Sequence, residues 1–217
     1  MIIDLNLKGK QVLVLGGGNE AARKVEALLT QDCAVIVVAE RVAESIRVHA
    51  ENGKITLENR RVEEGSFLDG YDRLILVLAV TDDEELNRRL VDAAKERRCY
   101  VYAADDPEAS DFAHPAVINI EDTVAVAIST GGKSPLMAKT LREKVEPILQ
   151  QAIDHKIILQ IRLQDRMRTV AREKLSTTED RRNFLVMIRD DERINRLLEA
   201  DRFEEAETLA RECLEGW

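Results

Sequence analysis

At 217 residues the chain is long enough for one ordinary domain and a smaller second one. Its 45% hydrophobic content provides for a core, and its net charge of −9 argues against a nucleic-acid binder. The longest apolar runs, such as 74–80, fall far short of the roughly 20 residues that a bilayer span needs.

The first half alternates two kinds of segment. The runs 11–15 (QVLVL), 34–39 (AVIVVA), 73–79 (RLILVLA) and 99–103 (CYVYA) are short and continuously apolar, as parallel strands covered on both faces are. Between them, 20–30 places Ala21, Val25, Leu28 and Leu29 on one helical face, and 83–97 does the same with Leu86, Leu90 and Ala94. A weaker strand is expected at 54–58. Strands alternating with helices predict an α/β fold, a Rossmann-like doubly wound parallel sheet.

The pattern then changes. Residues 116–120 and 123–129 read as an antiparallel hairpin turning at Glu121-Asp122, a small α+β region. After Ser134-Pro135 the chain is helical nearly to its end, with Pro147 near a helix start or at a kink. Amphipathic helices are expected at 178–188, 191–198 and 202–214. The expected domains are 1–113, 114–146 and 147–217.

Gly16-Gly17-Gly18-Asn19-Glu20 follows the first strand and opens the first helix. Gly16, Gly18 and Ala21 meet the G-x-G-x-x-G/A pattern, in which missing side chains admit a pyrophosphate to the N–H groups of a helix N-terminus. Glu40, at the end of the second strand, can accept hydrogen bonds from the ribose hydroxyls of NAD. Arg41 beside it would instead suit NADP. NAD is the expected cofactor.

A second glycine cluster, Ser129-Thr130-Gly131-Gly132-Lys133-Ser134-Pro135, also joins a strand to a helix. Its Gly-Lys-Ser is no nucleotide-triphosphate loop, because that pattern needs a glycine where Ala127 stands. It reads as an anion cradle of glycines, hydroxyls, a lysine and a helix N-terminus. Charge distribution agrees: residues 1–132 sum to −9, 133–174 to +5, and 175–217 to −5. Cys33, Cys99 and Cys213 form no C-x-x-C, so neither disulfides nor a metal site are expected.

Taken in order, Gly9-Lys10 through Gly18 with Ala22-Arg23-Lys24, Thr81-Asp82-Asp83 with Asn87, Ala104-Asp105-Asp106-Pro107 with Phe112 and Pro115, and Ser129 through Pro135 with Leu141-Arg142-Glu143 form a specific combination. Over about residues 1–150 the chain resembles the precorrin-2 dehydrogenase family, the part of siroheme synthase that carries out oxidation and sometimes iron insertion. The resemblance implies a Rossmann domain, a central dimerisation region, a helical C-terminal domain, and a homodimer. It implies NAD-dependent oxidation of precorrin-2 to sirohydrochlorin, with ferrochelatase activity left open. It places Asn19, Glu20, Glu40, Arg41 and Thr81 at the cofactor and Asp105 at the active-site aspartate. Two positions depart from the family pattern: Tyr102 stands where a small polar residue is usual, and Thr130 replaces a serine.

Precorrin-2 carries eight carboxylates. Expected partners for them are Ser129, Thr130, Gly131, Gly132, Lys133, Ser134 and, as bidentate forks, Arg142 and Arg166. His114 is a further substrate-contact candidate, and Lys139, Arg162, Arg168 and Arg172 lie in the same basic stretch. Asp105 would accept the proton released on oxidation, with Asp106 its rival by adjacency. The low aromatic count leads to no expectation of rings at the site. Two other readings stay open, a non-catalytic NAD-sensing domain and a Rossmann oxidoreductase of another polyanion. With Asp4 directly after Ile2 and Ile3, no leader is drawn, and a cytoplasmic enzyme without a membrane partner is expected.

Overall fold

The computed structural model describes residues 2–62, 68, 70–71 and 73–217, which divide into two compact units, Met1–His114 and Pro115–Trp217.

The first unit runs β1 (Gln11–Leu15), α1 (Asn19–Leu29), β2 (Ala34–Val38), α2 (Glu44–Glu51), β3 (Thr56–Glu58), β4 (Leu74–Ala79), α3 (Glu84–Glu96) and β5 (Tyr100–Ala103). Its strands pair in parallel in the order β3-β2-β1-β4-β5. Strand side chains alternate between faces, so each continuous apolar run feeds two cores. Val12 and Val14 pack with Ala21, Val25 and Ile46 on the face of α1 and α2. Leu13 and Leu15 pack with Leu90, Val91 and Ala94 on the face of α3. The strand order reverses beside β1, between β2 and β4, and the carboxyl ends of these strands are where ligands bind in such sheets.

Strand ends differ from expectation by one or two residues, as at β3, which begins at Thr56. Helix α2 was not expected. Ile46 is its one buried residue, so its eight residues bury a single apolar anchor rather than a stripe.

In the second unit β6 (Ala116–Ile120) and β7 (Val124–Ile128) form an antiparallel hairpin. Glu121 and Asp122 both adopt left-handed backbone, with φ 48 and 50°, and the Thr123 N–H donates to the Ile120 carbonyl. Two successive positive φ values match the twist that a tight hairpin needs. Asn119 donates to the Asp122 carboxylate, and Arg162 to the Glu121 carbonyl, tying down this strained turn.

Helix α4 (Pro135–Ala152) starts on Ser134, whose hydroxyl accepts from the Met137 N–H, and it continues through Pro147. The boundary expected at 146/147 therefore falls within this helix. Val145 and Leu149, on either side of the proline, pack on the hairpin core of Ile118 and Ile120. Then follow α5 (His155–Lys174), α6 (Thr178–Asp190), α7 (Glu192–Glu199) and α8 (Phe203–Glu215). Their buried residues recur every fourth position: Leu159, Leu163, Met167 and Ala171; Phe184 and Ile188; Ile194 and Leu198; Ala206, Ala210 and Leu214. That spacing stacks one apolar stripe per helix into a shared core. Asp154, Thr177 and Asp191 cap the N-termini of α5, α6 and α7. No described helix is long and apolar enough to cross a membrane.

Candidate functional site

The cofactor candidates gather at the carboxyl edge of the sheet in the first unit. Leaving β1, the backbone at Gly16 has φ 122°, and a Cβ there would lie 2.5 Å from the Val80 carbonyl oxygen. Gly17 is tighter still: a Cβ would strike the Arg41 carbonyl and stand 2.8 Å from a Val42 methyl. Gly18 faces open space. So the first two glycines let β1, β2 and β4 close together, and the third leaves its approach clear. Gly18 is also the N-cap of α1 and offers no side chain to its N–H groups, so they are available to an anion. This fits a dinucleotide pyrophosphate. The reading of G-x-G-x-x-G/A passed over Gly17, the residue with the closest neighbours.

Glu40 and Arg41 are both exposed just past β2 and, among the described residues, neither side chain carries a hydrogen bond or ion pair. Asn19 and Glu20 open α1. Glu20 pairs with Arg23 and, at 3.2 Å, with the ammonium of Lys24. Lys24 is 9% exposed and lies 4.2 Å over the centre of the Tyr102 ring. His114 meets that ring edge-on at 4.7 Å, and Phe112 lies 5.4 Å from His114. Three rings thus assemble where the composition led to no such expectation. Burial, helped by the Lys24 ammonium and opposed by Glu20, pushes the pKa of His114 down to about 4, so the imidazole is neutral at pH 7.

Thr81 and Asp105, following β4 and β5, are joined by one side chain. Asn87, 1% exposed on α3, accepts from the Thr81 N–H at 3.1 Å and from its hydroxyl at 2.7 Å. Its amide nitrogen donates to the Thr81 carbonyl and to Asp105 Oδ2, at 3.1 and 3.2 Å. Every hydrogen-bonding group of this buried amide is used. The Asp105 carboxylate is otherwise open, in a small cleft with Glu84, Arg88 and Asp106. Asp106 differs: its Oδ1 accepts from the N–H groups of Glu108 and Ala109, a turn-closing role. Of the two adjacent aspartates, Asp105 is the one free to meet a ligand.

In the second unit Gly131 and Gly132 have φ 62 and 79° with open space around them. The hydroxyls of this turn face inward. Ser129 Oγ accepts from Gly131, Thr130 Oγ1 accepts from Ser134 at 3.0 Å, and Ser134 Oγ caps α4. Lys133 is exposed and, among the described residues, has no partner. Arg142, two turns along α4, is half-buried and 3.8 Å from Glu143.

Arg166 is placed otherwise than a free carboxylate fork would be. It pairs with Glu207 and stacks 4.7 Å over Phe203, so it joins α5 to α8. The Arg211 and Arg166 guanidiniums hold the buried Glu207 carboxyl below its ordinary range, against its burial. No signal near Arg166 in the sequence marks this partner 41 positions away. Asn87, Lys24 and Glu207 did leave a trace: each is a polar residue on the buried stripe of its helix.

Residues 3–116 match the family model described as "Putative NAD(P)-binding". Residues 124–146 match that of the sirohaem biosynthesis protein central region. The chain is 32% identical to a siroheme synthase of Actinobacillus pleuropneumoniae serotype 7, covering 99% of this chain and 42% of that protein. It is 33% identical to the siroheme synthase of Nitrosococcus oceani, again over 99% of this chain and 44% of the relative. The chain therefore spans less than half the length of these relatives. Its fold is similar to the solved structure of SirC, precorrin-2 dehydrogenase, with a TM-score of 0.69 at 22% identity, covering all of both chains.

Proposed function

Because the chain belongs, through residues 3–116, to the NAD(P)-binding family, we propose that it is an NAD-dependent dehydrogenase that oxidises precorrin-2 to sirohydrochlorin. The observation that carries this reading is the coverage of 99% of the chain by siroheme synthases, joined to the open carboxylate of Asp105, which Asn87 ties to Thr81 next to Gly16. The solved relative with the same fold is named for this reaction.

When bound, NAD supplies the hydride acceptor. The N–H groups at the start of α1 hold the pyrophosphate, Gly18 leaves room for it, and Glu40 accepts from the ribose hydroxyls, which favours NAD over NADP. Thr81 contributes by position, since its hydroxyl is held by Asn87. Oxidation removes two hydrogens from the macrocycle, one as hydride and one as a proton, and Asp105 accepts the proton. Lys133 and Arg142 are the carboxylate partners around the start of α4, the hydroxyls of Ser129, Thr130 and Ser134 shaping the turn that presents Lys133. Arg166 already carries a carboxylate partner in Glu207.

The protein is further read as a cytoplasmic homodimer. Helix α4 displays Leu136 and Ile148, 72 and 64% exposed, with Met137 and Leu141, and β6 displays Val117. An apolar surface of this kind calls for a partner.

The test is anaerobic incubation with precorrin-2, followed by visible absorbance, with NAD, with NADP and with neither. Sirohydrochlorin forming fastest with NAD supports the reading. Tight NAD binding without any conversion would overturn it in favour of a sensor.

A further inference from the structure

A groove of about 650 Å³ runs between α5 and α6 in the second unit. Ile161, Gln164, Asp165, Arg168 and Arg172 line it from α5 at helical spacing, and Thr178, Arg181, Arg182, Leu185, Val186 and Arg189 line it from α6. Five guanidiniums against one carboxylate is a strong local excess in a chain of net charge −9. Such like charges repel one another unless something answers them.

Their roles separate on inspection. Arg181 donates to the carbonyls of Leu175 and Ser176 and holds the turn between the helices. Arg189 pairs with Asp190 beside it. Gln164 donates to the Leu185 carbonyl at 2.9 Å and fixes the two helices side by side. Arg168, Arg172 and Arg182 are exposed and, among the described residues, have neither hydrogen bond nor ion pair. Ile161, Leu185 and Val186 add apolar surface to the same lining.

We infer that this groove binds a compact amphiphile with an apolar body and several carboxylates at its edge, and that its ligand is the tetrapyrrole itself. The identification rests on the precorrin-2 reading above; the chemistry of the groove does not. Its volume is that of a small-molecule site. Guanidinium forks match carboxylates in pairs, and the aliphatic part of the lining gives the body of the ligand a place that inorganic anions or sugars would not use. Arg168, Arg172 and Arg182 take the carboxylates, while Arg181 is engaged by the Leu175 and Ser176 carbonyls.

Uroporphyrin, a stable tetrapyrrole with eight carboxylates, is the probe, and the single tryptophan, Trp217, reports binding from within the same unit through fluorescence quenching. The full chain is titrated without NAD. Replacing Arg172 and Arg182 by glutamate (Arg172→Glu with Arg182→Glu) is expected to weaken binding about tenfold or more. A charge-matched control, Arg196→Glu with Lys8→Glu, is expected to stay within about twofold of the parent. Both lie on exposed side chains, and circular dichroism verifies their folding. Equal affinity in the two doubles overturns the inference, as does tripolyphosphate displacing uroporphyrin at equal concentration. Turnover of precorrin-2 with unchanged porphyrin binding would sink the groove alone, and porphyrin binding lost in the groove double without turnover in the parent would sink the dehydrogenase reading alone.

Discussion

Through Gly16, Gly17 and Gly18 the chain passes from β1 into α1, and through Gly131 and Gly132 from β7 into α4. On paper the two turns look alike. In the first, two glycines are demanded by backbone packed against them, and the helix start has no side-chain cap. In the second the glycines have space around them, their role is positive φ, and Ser129, Thr130 and Ser134 satisfy the turn from within. A helix N-terminus that caps itself has fewer N–H groups to offer. The first turn leaves its helix N–H groups uncapped, the second is closed by its own hydroxyls, and what it presents outward is Lys133.

The largest effects should come from side chains added within the first turn, whose glycines differ in the room they have. Gly17→Val puts its branches into the Arg41 carbonyl and is expected to destabilise the first unit by about 3 kcal/mol. Gly18→Ala, one position on, should change stability by less than about 1 kcal/mol and weaken NAD binding about tenfold. Thermal melts and calorimetric titration with NAD separate the two, and equal effects on both readouts would break the comparison.

Next in size is Asn87→Ala, which unties Thr81 from Asp105 and leaves buried groups unpaired, at a cost of about 2–3 kcal/mol in urea unfolding. Ser134→Ala removes the cap of α4 and should cost about 1 kcal/mol while leaving NAD affinity as it was. Loss of NAD affinity in that variant would mean that the second turn also serves the dinucleotide.

The two units also titrate in opposite senses. His114 in the first has its pKa lowered, from 6.5 to about 4, so its contribution to stability is present above pH 6.5 and is lost as pH falls toward 4. His155 in the second lies 3.0 Å from Glu121 and 3.3 Å from Asp201, and hydrogen bonds to these two carboxylates raise its pKa above 6.5. Its contribution is present below pH 6.5 and fades as pH rises through the folded value. An NMR titration of the histidine ring protons checks the order, and His155 losing its proton before His114 would contradict it.

How much of this was legible follows from how far apart the cooperating residues lie. Continuous runs such as Val12-Leu13-Val14-Leu15 announced strands with two buried faces, and the glycine turn announced itself by following one. Asp105 could be chosen but not told from Asp106, because the distinction is a local turn bond at Glu108 and Ala109. Arg166 read as a free cation because its partner, Glu207, is on another helix. The groove between α5 and α6 was hidden by averaging. Arg181, Arg182 and Arg189 belong to a stretch of net charge −5, yet they share one helix face with few acids. Lys24, Asn87 and Glu207 point to a remedy: a polar residue on the apolar stripe of a helix identifies a tie to be found.

The account is tested most directly by single-turnover oxidation of precorrin-2 in Asp105→Asn, with NAD affinity measured on the same sample. The asparagine keeps the size of the side chain and removes the base. The prediction is that NAD binds within about twofold of the parent while sirohydrochlorin formation falls about a hundredfold or more. Unchanged formation would contradict the role given to Asp105.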